Sequence, residues 1–311
     1  MHFIIDLIGK FEMILISIFI NLIIFQIKNN IASFGGDPKS VTIFGISGGG
    51  VSVGLHIISP VSQGLFKRAI MSSGSPFGYD SNTLDRSLSL QKSKDLAKEF
   101  NCTEKWIECL QKVSPEQLIK ANNQVTMPIF GDEFFPVTAP TAMRTGKFNS
   151  EYELLSGITS DEMDYLLAQA LPGGFSKSQI KDTLEFMFPN QMQDLIFENY
   201  FSHLKENDYD GIKETFGLMI SDYQMNCPTY LQSKYFALGS FRNKVYFYNL
   251  TYKANDPYNP VCGDGMGICH AEDLVFLFGL PFIDVDKDFI EKDYKFSLLY
   301  MLLWSNFAKN G

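Results

Sequence analysis

A chain of 311 residues, 45% hydrophobic and 20% charged, can bury a sizeable core as one large domain or two small ones, and this composition excludes global disorder. The formal net charge of −9 leaves no basic surface for phosphate backbones, which excludes nucleic acid as a partner class. A neutral or cationic small molecule is compatible with it.

The first candidate element is Met13 to Phe25, almost wholly apolar and interrupted by Ser17 and Asn21. A bilayer-spanning helix needs about 20 apolar residues, so this run is short. Asp6, Lys10 and Glu12 precede it and no small-residue cleavage site follows. It is read as a buried helix or a segment foreign to the domain, and membrane contact follows only if residues 13–25 act as an anchor. Gln26 to Ser33 reads as a helix end, closed by the breaker Phe34-Gly35-Gly36-Asp37-Pro38. Ser40 to Phe44 is a short β-branched and aromatic run, a buried strand. Gly45 to Gly50 is a glycine-dense turn and Val51 to Ile58 a helix. Phe66 to Met71 is a second strand, ahead of Ser72-Ser73-Gly74-Ser75-Pro76. Residues 84–122 carry helical periodicity and many charges. Tyr152 to Ile158 is a third strand, 176–239 mostly helical, and Lys244 to Thr251 a fourth strand. Strands alternating with helices predict an α/β fold with a mainly parallel sheet. The helical block before the last strand reads as an insertion capping one end of that sheet.

None of the five cysteines forms a zinc-like pair with matched histidine spacing. Cys102 and Cys109 lie close together in a polar stretch that suits one short disulfide loop, and an odd count leaves at least one thiol unpaired within the chain. Asn101-Cys102-Thr103 and Asn249-Leu250-Thr251 are glycosylation sequons. They favour a secretory, extracellular route over a reduced cytosolic one.

The chemistry centres on Gly45-Ile46-Ser47-Gly48-Gly49. A serine hydroxyl is a weak nucleophile that needs an adjacent base and exposure to substrate. A Gly-x-Ser-x-Gly turn between a strand and a helix supplies the exposure, with glycines removing side-chain clashes. The helix amino terminus adds partial positive charge near a developing oxyanion.

The text from Phe34-Gly35-Gly36-Asp37-Pro38 through Ser47-Gly48-Gly49-Gly50 resembles the type-B carboxylesterase and cholinesterase family. The resemblance continues through His56-Ile57-Ile58-Ser59-Pro60 and Gly64-Leu65-Phe66-Lys67-Arg68-Ala69-Ile70 to Ser73-Gly74-Ser75. It implies an α/β-hydrolase fold, ester hydrolysis through a Ser-His-acid triad, a small-molecule carboxylic ester as substrate, and no metal or organic cofactor.

In α/β-hydrolases the triad runs Ser, acid, His along the chain, and only four histidines are present. His2 precedes the fold, His56 falls on the helix behind the elbow, and His203 sits in a charged stretch and reads as solvated. His270 lies in a loop after the last strand, and Gly267-Ile268-Cys269-His270-Ala271-Glu272-Asp273-Leu274 resembles the family's catalytic histidine segment. Gly157-Ile158-Thr159-Ser160-Asp161-Glu162 resembles the segment carrying the acid, which makes Glu162 the acid and Asp161 its neighbour. Without the resemblance, no one carboxylate among 35 stands out. Glu272 and Asp273 read as loop or helix-cap carboxylates. By the same resemblance Ser73 hydrogen-bonds the acid, the alternative being an ordinary strand-end serine, Cys102 and Cys109 form a disulfide, and the partner of Cys227 lies outside this text. Phe77 and Tyr79 read equally as acyl-pocket lining or as core.

Two positions depart from the family. It usually has Glu before the nucleophile and Ala after it, where this chain has Ile46 and Gly48. Ile46 removes a carboxylate beside the site and disfavours choline-type substrates, while Gly48 keeps its oxyanion N–H donor. The family also has a glycine-rich loop with further oxyanion donors ahead of the FGGDP segment, and no such loop is found here. The expected organisation is therefore residues 1–25 as a segment foreign to the family and 26–311 as a partial, incomplete α/β-hydrolase domain. Such a domain expressed alone is expected to show little turnover. The alternative function is a non-catalytic, cholinesterase-like interaction or adhesion protein.

Overall fold

Every residue of Arg68–Ser72 is buried, the mark of a strand covered on both faces. The computed structural model describes residues 13–78, 84–121, 128–165, 174–188, 190–240, 242–255, 262, 266–284 and 286–311. His2 and Tyr79 lie outside the described residues.

The chain enters through helix α1 (Met13–Asn30), extended by a 3₁₀ turn over Ile31–Phe34. The helix therefore runs through the stretch read as its end. It docks through polar groups as well as through the buried Ile24: Asn21 donates to Ser62 Oγ at 2.9 Å and Lys28 reaches Gly64 O. Among the described residues no helix is long and apolar enough to cross a membrane.

Strand β1 (Thr42–Ile46) leads to helix α2 (Gly48–Ile58) and back to strand β2 (Arg68–Ser72). A short parallel pair follows, β3 (Leu84–Asp85) with β4 (Ile129–Phe130). Between them the charged stretch forms helices Arg86–Glu99, Trp106–Leu110 and Pro115–Lys120. Strand β5 (Glu153–Thr159) precedes the helical block, which includes α3 (Lys177–Met187), α4 (Tyr209–Ser221) and α5 (Cys227–Leu238). Strand β6 (Val245–Leu250), the short helix α6 (Asp273–Leu277) and the long helix α7 (Glu291–Asn310) complete the order.

The sheet runs β1-β2-β5-β6 with every pair parallel. This is the α/β architecture expected, and all four strands fall within two residues of their sequence-based bounds. The shift is largest at β1, which runs on through Gly45 to the residue before Ser47. Glycine there reads as a turn, but it is the only residue that fits. A Cβ on Gly45 would overlap the Gly49 carbonyl as α2 turns back over the strand. For the same reason α2 begins at Gly48, three residues earlier than its periodicity indicates.

Alternation along the strands divides the core. Ala69, Met71 and Leu154 pack with Val51, Leu55 and Phe236 on one face. Ile70 and Leu155 pack with Phe276, Tyr300 and Trp304 on the other. The helical block has its own core around Ile180, Leu184, Phe201 and Phe216. At one end of the sheet Arg68, 2% exposed, pairs with Glu153 at 2.5 Å and donates to Ala308 O in α7 at 3.1 Å. Cys102–Cys109 is a disulfide, as expected from the resemblance, and Cys262–Cys269 is a second; Cys227 is a free, exposed thiol.

Candidate active site

Ser47 caps α2 with φ 56° and ψ −122°, a conformation that a residue with a Cβ occupies only under strain. The local sequence enforces it. Ser47 N–H donates to Ser72 O of β2 at 2.9 Å, and Val51 N–H to Ser47 O at 3.0 Å, so strand and helix each hold one side of the residue. Three glycines make room. Gly45 lies under Gly49, a Cβ on Gly74 would overlap Ser47 O, and one on Gly50 would stand 2.8 Å from Ser72 O. Gly48 and Gly49 by contrast face open space. As the first residues of α2 they belong to the turn whose N–H groups have no acceptor within the helix. Those donors, with the partial positive charge of the helix end, suit an oxyanion.

Register places Ser47 at the same end of the sheet as Glu162. Ile46 pairs with Ser72 and Ser72 with Gly157, so the residues after β1, β2 and β5 share one end of the sheet. Glu162 follows β5 and is completely buried. Its Oε1 accepts Thr159 N–H at 2.8 Å, and His270 Nδ1–H donates to Oε2 at 2.6 Å. A buried carboxylate that takes one backbone N–H and one imidazole N–H fixes both the tautomer and the ring plane of the histidine. Burial pushes the His270 pKa down, and the hydrogen bond and charge of Glu162 override it, so the imidazole sits above its ordinary value. Tyr165 stacks nearly parallel to the ring at 6.3 Å. Ser47 and the Glu162–His270 pair thus occupy the carboxyl ends of parallel strands, the usual place for ligands in open α/β sheets.

The remaining sequence candidates divide. His56 is buried behind the elbow, its Nδ1 2.8 Å from Ser62 Oγ, and His203 is exposed. Phe77 packs against the core beside α2, its ring 6.0 Å from Tyr235. Ser73 does not bond the acid. Its backbone is turned to φ 47°, its N–H donates to Gly157 O at 2.8 Å, and its buried hydroxyl has no hydrogen-bond partner among the described residues. The preceding residue is the one engaged, since Ser72 Oγ donates to Asp273 Oδ2 at 2.6 Å and accepts from Tyr248 at 2.9 Å. Asp273 is therefore not a loop or cap carboxylate. It is fully buried at the start of α6, and burial pushes its pKa up to about 6. Among the described residues no group of three His, Cys, Asp or Glu side chains is arranged to hold a metal ion.

A carboxylesterase family model matches residues 25–311. The chain belongs to the carboxylesterase family. Acetylcholinesterase of Bungarus fasciatus is 29% identical over 309 residues, covering 92% of this chain and 50% of the relative. Cholinesterase of Mus musculus is 30% identical over 312 residues, with the same shares covered. The chain spans about half the length of these curated relatives. Family membership accounts for the elbow and the mainly parallel sheet. The structure adds the Cys262–Cys269 bridge beside His270, the burial of Asp273 and the bonds that Asp161 makes. Sequence reading missed all three, although the adjacency of Cys269 and Asp273 to His270 offered a signal.

Proposed function

We propose that this domain cleaves carboxylic esters through an acyl-enzyme on Ser47. The observation that carries the proposal is the 2.6 Å bond from His270 Nδ1–H to the buried Glu162, at the same sheet end as the strained Ser47. With Nδ1–H bonded to Glu162, Nε2 is the ring nitrogen that acts as the base in this reading. Ser47 Oγ adds to the ester carbonyl carbon as its proton passes to Nε2, and the carbonyl oxygen takes negative charge beside Gly48 N–H. The C–O bond to the alcohol breaks as Nε2 returns the proton to the leaving oxygen. Water then adds to the acyl carbon through the same base, releasing the acid and restoring Ser47. Ile46 in place of a carboxylate supports neutral, apolar esters as substrates. The two disulfides and the exposed sequon residues Asn101 and Asn249 support an oxidising, secretory location.

The test is capture by a fluorophosphonate probe, which needs an activated serine but not a complete turnover cycle. Labelling mapped to Ser47, lost in Ser47→Ala and in His270→Ala, is expected. A folded chain that the probe does not label would instead favour the non-catalytic interaction protein. p-Nitrophenyl butyrate hydrolysis that disappears in Ser47→Ala would extend the result to turnover.

A further inference from the structure

The loop carrying the acid and the loop carrying His270 meet at more than one bond. Asp161 N–H donates to Ile268 O at 3.1 Å and Ile268 N–H to Asp161 Oδ2 at 2.8 Å. One residue earlier in the histidine loop, Gly267 N–H donates at 3.0 Å to Oδ2 of Asp164, three residues after Asp161. His270 N–H donates to Glu162 O at 3.3 Å, beside the side-chain bond. Gly267 has no room for a Cβ, because it would overlap the Asp161 carboxyl group. Ile268 lies inside the ring closed by Cys262–Cys269, and Lys253 donates to Met266 O in the same ring at 2.6 Å. The histidine segment is thus a short covalent loop whose face toward the acid is held by backbone groups bound to Asp161 and Asp164.

We infer that Asp161 is a positioning residue for the reaction: by gripping both backbone groups of Ile268 inside the disulfide ring, it sets the approach of His270 to Glu162. This rests on the triad reading above. The Asp161 Oδ2 accepts both Ile268 N–H and the Ser160 hydroxyl. Its effect comes through geometry. A loop free to drift by an ångström lengthens the His270–Glu162 bond and weakens the base, an effect of about a hundredfold on rate where such displacements have been analysed.

The experiment compares Asp161→Ala, which removes the acceptor, with Asp161→Asn, which keeps an amide oxygen for Ile268 N–H. Two quantities are read on the full chain: the rate of fluorophosphonate capture at Ser47, and the NMR titration midpoint of the His270 imidazole. Glu162, Asp273 and Tyr165 face that ring, and the substitutions alter none of the three. Asp161→Ala is expected to slow capture by about tenfold or more and to lower the His270 midpoint as the Glu162 contact loosens. Asp161→Asn is expected to restore most of both. A folded Asp161→Ala that matches wild type in rate and midpoint overturns the inference.

The wild-type chain decides independently if the alanine variant fails to fold. The Ile268 amide is expected to exchange with solvent at least about a hundredfold slower than an unstructured amide, and exchange at the unstructured rate overturns the inference. If wild type is not captured at all, the triad reading fails. The His270 midpoint and the Ile268 exchange still judge the role of Asp161.

Discussion

Ser72 Oγ donates to Asp273 Oδ2 at 2.6 Å, joining two residues 201 apart in sequence and tying the end of β2 to the helix that follows His270. The carboxyl is fully buried and its pKa is raised from 3.8 to about 6 by burial. Between those values the folded chain holds a proton that the unfolded chain has lost. Stability therefore falls as pH rises through this window, and the penalty is complete above about pH 6. Asp273→Asn removes the titration while leaving an oxygen for Ser72. It is expected to stabilise the chain by about 1–3 kcal/mol at pH 8, with about half of that gain gone by pH 5. Urea unfolding at the two pH values measures both.

His56 acts in the opposite sense. Burial lowers its pKa from 6.5 to about 4, so protons enter the unfolded chain first as pH falls. The stability it leaves intact above pH 6.5 is lost progressively down to about pH 4, amounting to about 2 kcal/mol by pH 5. His56→Gln is expected to flatten that part of the stability curve. A slope between pH 7 and 5 that persists in the variant would assign the loss to other groups.

The turn at Ser47 was legible in the sequence because its determinants are local. Strand, glycines, serine and helix are contiguous, and each rule applied there acts over a few residues. Glu162 was legible only through resemblance, since nothing within its own segment separates it from Asp161. The burial of Asp273 and the Asp161–Ile268 contact were not legible, because each depends on which loops the sheet register brings together, whereas Cys262–Cys269 has the same local spacing of seven as Cys102–Cys109 and was not read as a pair. The Ser73 expectation failed over one residue. Ser72 continues the pleat of β2 and points toward α6, while Ser73 has already turned out of the strand.

The glycines of the elbow are not equivalent, and substitution should separate them. Gly45→Ala places a methyl against the Gly49 carbonyl, and Gly74→Ala places one against Ser47 O, both backbone atoms that cannot rotate away. Each is expected to cost about 3 kcal/mol or more and to reduce probe capture sharply. Gly48→Ala meets open space and should leave the fold within about 1 kcal/mol of wild type. Thermal unfolding of the three variants side by side checks the order.

Glu153 holds the buried Arg68 at 2.5 Å and also reaches Lys244 at 3.4 Å. Glu153→Gln leaves the guanidinium buried without its counter-charge, which is expected to cost about 3 kcal/mol. Replacing the pair together, as Arg68→Met with Glu153→Leu, should recover much of that loss. Denaturant midpoints for the single and double variants would show whether it does.

The φ of 56° at Ser47 sets durability against reactivity at a single residue. Any side chain bearing a Cβ carries the strain there, so Ser47→Ala should inactivate the site without relaxing it. Ser47→Gly should do both, and melt later than the alanine variant. A breeding programme that rewarded only survival on heating would therefore be drawn to glycine at 47 and discard the hydroxyl. A serine at this position is a choice that heat resistance alone would never make.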